Sequence, residues 1–306
     1  MGILDGKIAV VTGSGHGVGR GEALELVAQG AKVVVNDLGG NAIGEGADKR
    51  PADEVVAVIK SRGGEAVASY DDVSDFAGAE NMIATAYDAF GGLDILVNNA
   101  GIIRDKMIVA MTEEDFDSVL RVHLKGTFAA TKFACIRWRE RSKAGEDVRA
   151  AIVNTVSSAG LQGNVGQANY GSAKAGIAAL TIITSLEGSR YGVRANAVAP
   201  GGVTRLTGGV LKDVELKEPD EYGDDEFSRL NPQNSAPMVA WLASDQALHV
   251  TGQVFRAVGG NIAHYEPWRL GGTIDNGDAK WDPAAIAAEV NAQIFHSRHP
   301  GLKMGG

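Results

Sequence analysis

Tyr170 precedes Lys174 by four residues in the stretch "QANYGSAKAG" (167–176). On a helix, that spacing puts two side chains on one face, about one turn apart. Thirteen residues before Tyr170, Ser157 closes the apolar run "AAIVNTVSS" (150–158), which reads as a strand. A hydroxyl, a phenol and an ammonium can therefore converge where that strand meets the next helix. The set suits proton transfer at a secondary alcohol or a ketone. A free phenol has a pKa near ~10, so a base working near neutrality needs it lowered by ~2–3 units, or ~3–4 kcal/mol. A nearby ammonium and a cationic cofactor ring both favour phenolate. The serine hydroxyl would steady the developing charge on the substrate oxygen. Two other readings stay open: Ser158 in place of Ser157, and Lys174 as a surface charge.

A second group of residues points to a dinucleotide. "TGSGHGVG" (12–19) follows a strand and opens a helix. Its candidates are Gly13, Ser14, Gly15, Gly17, Val18 and Gly19. Glycines there allow close backbone approach, and the helix N-terminus offers N–H groups to a pyrophosphate. Asp37 ends the next strand, in "VVVNDLGG". A carboxylate there accepts hydrogen bonds from a ribose 2′-hydroxyl and repels a 2′-phosphate, which favours NAD over NADP. The turn supplies no Arg or Lys for that phosphate, and His16 is the nearest cation candidate. A loop-capping role for Asp37 remains the alternative. Asp72 and Val73 are candidates for the adenine edge, with helix capping open for Asp72. Asn99, Ala100 and Gly101, in "NNAG" (98–101), let backbone approach a cofactor.

These residues need a scaffold that gathers strand ends. Seven apolar runs read as strands: 7–13, 31–37, 65–72, 93–101, 150–158, 193–200 and 252–260. Several are nearly continuous in Val, Ile and Ala, as expected of strands buried on both faces. Helix-like segments fall between them, at 17–30, 51–62, 75–91, 112–140 and 168–190. The alternation predicts an α/β fold, a Rossmann-like doubly wound parallel sheet of about seven strands with helices on both faces. One domain is expected over 1–260. Three stretches break the rhythm: a polar Gly-rich insertion (38–50), a charged irregular segment (205–235) placed to act as a substrate lid, and a C-terminal extension (261–306). Tyr265, Trp268, Trp281 and Phe295 predict that the extension packs on its own or a neighbouring subunit.

The 306 residues are 44 % hydrophobic and 22 % charged, with 41 glycines and 8 prolines, a balance suited to many tight strand–helix turns. A net charge of -9 argues against nucleic acid as a partner. One cysteine, Cys135, permits no internal disulfide and fits a reducing, cytoplasmic setting; it reads as a packed core thiol. The N-terminal "MGILDGKIAVVTG" runs into a strand without a signal-peptide pattern, and no run reaches the ~20 apolar residues of a membrane span. The histidines are scattered, and no metal-ligand spacing occurs, so no metal is expected. The basic run "RWRERSK" (137–143) reads as a solvated helix end, with contact to a CoA phosphate as the alternative. Arg104, Met107, Leu161, Gln162 and Val165 follow the fourth and fifth strands and are expected pocket neighbours.

Taken in order, Thr12–Gly19, Asn98–Gly101, Ser157, Tyr170, Lys174 and "PGGVT" (200–204) resemble the short-chain dehydrogenase/reductase family over roughly residues 5–260. The resemblance implies that Tyr170 and Lys174 are a catalytic pair, with Lys174 also bonding the nicotinamide ribose. It implies that Pro200, Gly201, Val203 and Thr204 line the nicotinamide. It also implies a homotetramer or homodimer. The family usually carries an asparagine where "RVHLKGTF" (121–128) has His123, which either holds a water or carries a proton, or is simply a packed core histidine. "VVVNDLGG", "RVHLKGTF" and "GNVGQANYGSAKAG" are similar to the (3R)-hydroxyacyl-CoA dehydrogenase domains of peroxisomal multifunctional enzymes, a subgroup that also oxidises 17β-hydroxysteroids. The implied activity is NAD-dependent oxidation of an acyl-CoA thioester or steroid alcohol. A ketoacyl or cyclic-ketone reductase and a catalytically idle NAD(H)-binding sensor are the competing readings.

Overall fold

Alternation within single strands explains the architecture. The structure is a computed structural model that describes residues 2–206, 216–222, 227–266 and 270–294. In Ile8–Thr12 (β1), Ala9 and Val11 join one hydrophobic cluster and Val10 joins another. Lys32–Asn36 (β2) does the same with Val33 and Val35 against Val34, as does Ile95–Asn98 (β4) with Ile95 and Val97 against Leu96. Both faces of these strands are therefore covered, and each buried Val or Leu contributes ~1.5–3 kcal/mol. One face is packed by Gly17–Ala28 (α1), Arg50–Ser61 (α2) and a later helix, Ala236–Ala243. The other is packed by Phe76–Phe90 (α3) and a long helix, Gly126–Lys143, whose Trp138 is fully buried and donates its indole N–H to Leu93 O at 2.7 Å.

The remaining strands are Ala66–Ser69 (β3), Ala150–Thr155 (β5), Val193–Pro200 (β6), Val254–Val258 (β7) and Asn261–Tyr265 (β8). The sheet order is β3-β2-β1-β4-β5-β6-β7-β8. Pairings from β3 to β7 are parallel, while β8 returns antiparallel beside β7. Order reverses at β1 and β4, so a crevice opens beyond the C-terminal ends of those strands, where ligands of such sheets bind.

Two expectations need correction. The parallel sheet of about seven strands is present, and an antiparallel eighth strand extends it among the described residues. Residues 261–265, read as the start of the extension, form β8 through a two-residue Gly259–Gly260 turn in which Gly259 takes φ +56°. The helix expected over 112–140 is three pieces: Glu113–Leu120 (α4), a π-helical turn at Arg121–Lys125, and Gly126–Lys143 (α5). The chain continues through Ser158–Gln162 (α6), Ala168–Gly188 (α7), the helix Ala236–Ala243 (α8) and Pro283–Gln293 (α9).

Met1–Tyr265 and Glu266–Gly306 form two compact units. In the second, Asp282 caps α9 by accepting from the Ala284 N–H at 3.0 Å. Of the aromatic residues of the extension, Trp268 and Phe295 lie outside the described residues, as do 207–215 and 223–226 of the expected lid. No helix among the described residues is long and apolar enough to cross a membrane.

Candidate active site

One pocket lies over the β1/β4 crevice. At one end is the glycine turn. Gly13 takes φ +62°, and a Cβ there would lie 2.7 Å from the Ala100 Cα, so the turn can close on the β4 loop only with glycine. Asn99 holds the two together: its Nδ2 donates to Thr12 O and Gly13 O at 3.0 Å each, and its N–H reaches the Thr12 hydroxyl at 2.9 Å. The neighbouring Asn98 points the other way, into a buried network with Thr131, Asn154 and Thr181 beneath the site.

Asp37 is buried at the end of β2 and lines the pocket. Its two oxygens accept from the Gly15 N–H at 2.8 Å and the Gly39 N–H at 2.7 Å. The loop-capping role left open by the sequence is thus present. It leaves each oxygen a further lone pair for a sugar hydroxyl.

At the other end, α7 brings Tyr170 and Lys174 to one face. Asn169 sets its start: fully buried, it donates to Arg104 O and Asp115 O at 2.9 Å and accepts from the Tyr170 N–H at 2.8 Å. Lys174 is buried, its ammonium donating to Thr155 O at the end of β5 at 2.6 Å and lying 5.7 Å from the Tyr170 ring centre. Ser157 caps α6, its Oγ accepting from the Ala159 N–H, and its side chain also acts on the Tyr170 phenol. Lys174 is no surface charge, and Ser157 rather than Ser158 lines the pocket with Tyr170.

The protonation pattern differs from the expected one. Burial raises the Tyr170 phenol above its ordinary value; the Ser157 hydrogen bond lowers it, and the Asp105 charge adds to the rise. Burial lowers Lys174 to about 7 against the pull of Glu22, a buried carboxyl on α1 that burial in turn raises to about 8. The protein alone therefore holds the phenol protonated, and any lowering must come with a bound positive charge.

His123 sits on the π turn, fully buried, with its ring edge-on to Tyr170 at 5.2 Å between centres. Its Nε2 lies 2.8 Å from Ile102 O and 3.0 Å from Ile102 N, so one tautomer donates to the carbonyl and the other accepts from the amide. A Cβ on Gly101 would meet the imidazole at 2.3 Å, which makes that glycine a condition of the packing. Burial, aided by the Lys174 charge and opposed by Ile102, pushes the imidazole down to about 3, so it is neutral across physiological pH.

Gly13, Gly17, Val18, Asp72, Val73, Asn99, Ala100, Gly101, Pro200, Gly201 and Thr204 all lie on the pocket wall as expected. Ser14, Gly15, Gly19 and Val203 do not. The Ser14 hydroxyl turns inward to Val11 O at 2.8 Å, Gly15 spends its N–H on Asp37, a Cβ on Gly19 would lie 2.3 Å from the Asn99 amide, and Val203 is buried with its N–H on Leu230 O. Asp72 does not cap α3, whose cap is Asp75; its carboxylate accepts from the Ser74 N–H within the preceding turn. The five expected pocket neighbours after β4 and β5 also lie off this wall: Met107 and Val165 are exposed, and Arg104 donates to Ile43 O.

Sequence reasoning missed the wall formed by the 38–50 insertion. Leu38, Asn41 and Gly44 line the pocket, and the Ile103 N–H, Arg104 and Arg205 all bond backbone carbonyls of Gly40, Ala42 and Ile43. Arg121 and Arg205 also reach the wall. In Arg137–Lys143, Arg141 bonds Leu93 O at 2.9 Å and Glu146 at 2.8 Å, a tie between α5 and the sheet.

The short chain dehydrogenase family profile matches residues 7–213. The chain is 41 % identical over 302 residues to hydroxyacyl-CoA dehydrogenase ChsB1 of Mycobacterium tuberculosis, covering 97 % of this chain and 91 % of that one. It is 44 % identical over 241 residues to the peroxisomal multifunctional enzyme type 2 of Drosophila melanogaster, covering 79 % of this chain but 37 % of that larger protein. A short chain dehydrogenase from Mycobacterium avium, solved by crystallography, superposes with a TM-score of 0.86 at 45 % identity, with both chains fully covered. With the glycine turn, the β4 loop and the Ser157–Tyr170–Lys174 set gathered at one crevice, these matches lead to one conclusion: the chain belongs to the short-chain dehydrogenase family.

Proposed function

We propose that the protein oxidises a secondary alcohol to a ketone, reversibly and with NAD, and that its substrate is a 3-hydroxyacyl-CoA thioester. The observation that carries the reading is one pocket with the glycine turn and Asp37 at one end and Ser157, Tyr170 and Lys174 at the other. The residues fit a dinucleotide. Gly13 and Gly17 adopt positive φ where a Cβ would meet Ala100 and Thr204, so the turn stays bare backbone, as a diphosphate-binding turn requires. Asp37 offers a carboxylate to a ribose, which favours NAD over its 2′-phosphorylated form. When bound, the nicotinamide supplies hydride acceptance and a positive charge.

The chain's own residues handle the proton. Ser157 holds the substrate oxygen. Tyr170, lowered on arrival of the cofactor's charge, takes the hydroxyl proton as hydride leaves the carbinol carbon. Lys174, fixed on Thr155 O, would bond the nicotinamide ribose and support the phenolate. His123, neutral and tied to Ile102, acts as a positioning residue for the Tyr170 ring rather than as a proton carrier. The substrate class leans on the hydroxyacyl-CoA name of the Mycobacterium tuberculosis relative. A hydroxysteroid is the second substrate reading.

The test is NADH formation from NAD or NADP with (3R)- and (3S)-hydroxyacyl-CoA thioesters and a 17β-hydroxysteroid. Turnover of a thioester with NAD, reduced ~10²–10⁴-fold by Tyr170→Phe, is the expected result. Steroid turnover alone would move the substrate class. Dinucleotide binding without turnover of any of them would leave an NAD(H)-binding sensor.

A further inference from the structure

The glycine turn is already engaged by an anion of the protein's own. Glu218 reaches it from the segment after β6: Oε1 lies 2.7 Å from His16 Nδ1, and Oε2 accepts from the Gly17 N–H at 2.7 Å. One helical turn along α1, Arg20 grips Asp220 with two bonds, Nε to Oδ1 at 2.6 Å and Nη2 to Oδ2 at 2.7 Å. Those two side chains are only 9 % and 11 % exposed, so this is not a loose surface pair. The strap that carries both carboxylates is ordered by itself. Pro219–Glu221 forms a 3-10 turn closed by a reciprocal cap in which the Glu218 N–H donates to Glu221 Oε2 at 2.7 Å.

A carboxylate with two oxygens on an imidazole and a helix-terminal N–H makes the contacts that a phosphate makes at such a terminus. His16 and Gly17 line the pocket, beside Val18 and Thr204. Any diphosphate held at that end needs the same donors or must sit against two carboxylates, and like charges at contact distance repel. We propose that Glu218 is an internal stand-in for the cofactor's diphosphate, so that a dinucleotide must displace the 216–222 strap from the glycine turn in order to bind. This rests on the dinucleotide reading above. Burial would raise the Glu218 carboxyl, but the His16 and Gly17 hydrogen bonds outweigh it and keep the group below its ordinary range, so the stand-in is charged. Asp220 is held down in the same way by Arg20 against burial.

The strap thereby sets the fraction of molecules ready to accept a cofactor, and apparent affinity scales with that fraction. The experiment is NADH binding to the full chain, by fluorescence titration and stopped-flow association, for the wild type, Glu218→Gln and Asp220→Asn. Glutamine can still accept the Gly17 N–H, so the first variant keeps the local fold, while the second loosens the strap from the Arg20 side. Circular dichroism establishes that each is folded. The expected result is binding about tenfold tighter in both variants, with the gain in the association rate. Unchanged affinity, or weaker binding with faster dissociation, would overturn the proposal and make the strap a clamp over bound cofactor or a structural tie. Failure of wild type and variants alike to bind NADH or NADPH would instead overturn the dinucleotide reading on which the proposal stands.

Discussion

At the scale of single residues, His123 separates positioning from proton transfer. An imidazole held down to about 3 by burial is neutral at neutral pH, with a single ring N–H, so its contribution is geometric: the tie to Ile102 and the edge-on contact with Tyr170. His123→Leu would leave the buried Ile102 N–H and carbonyl unpaired, at ~1–3 kcal/mol, and loosen the Tyr170 ring. His123→Asn, shorter but still a donor and acceptor, should restore much of the tie. The expected outcome is a turnover number about tenfold lower in the leucine variant, with partial recovery in the asparagine one. The pH profile of kcat between about pH 5 and 8 should keep its shape in both. Loss of an ionisation from that profile in His123→Leu would show instead that the imidazole moves a proton. The sequence identified the position as unusual but could not choose between the roles. The choice depends on burial and on Ile102, twenty-one residues away, and neither is visible in spacing.

At the scale of elements, legibility followed the strength of the local pattern. The parallel strands were readable because several are nearly continuous apolar runs, and the glycine turn because strand and helix flank it. The helix over 112–140 was readable as helix but not as three pieces, since the π turn reflects where His123 must pack and not a change in residue type. The insertion at 38–50 gave no periodicity, so its place on the pocket wall is a tertiary outcome, fixed by bonds from Ile103, Arg104 and Arg205 to its carbonyls. The eighth strand did leave a signal, the Gly-Gly pair between two apolar runs in "FRAVGGNIAHY", which is a hairpin pattern. Gly259 takes φ +56° at that turn. Gly259→Val should therefore destabilise the β7–β8 hairpin by ~1–2 kcal/mol, while Gly259→Asn costs less, because asparagine tolerates the left-handed region. Hydrogen exchange of the Asn261–Tyr265 amides would register the loss, and equal protection in both variants would count against the strain argument.

At the scale of the whole molecule, a domain with a buried acid and a buried base near one another must show it in its stability. Glu22 is 1 % exposed, its Oε2 has no hydrogen-bond partner among the described residues, and burial raises it from 4.5 to about 8 despite the Lys174 charge. The folded state therefore keeps the Glu22 proton over a range where the unfolded chain releases it. That contribution is fully present below about 4.5 and is lost as pH rises towards about 8. Lys174 has the opposite slope, but only at higher pH. Lowered from 10.5 to about 7, it is protonated in both states below that value, and it adds stability only as pH rises beyond it. Between about pH 5 and 7 the two do not overlap, so Glu22 acts alone. Over that interval the wild type should lose roughly 2 kcal/mol more stability than Glu22→Gln, measured as urea midpoints at the two pH values. Glutamine keeps the shape and removes the titration, so the comparison isolates the proton. An equal loss in both proteins would mean that Glu22 is already ionised in the fold and paired with Lys174. The ammonium beside Tyr170 would then be held charged by α1 from beneath the site, and the base, the glycine-turn helix and the stability of the domain would depend on one buried ion pair.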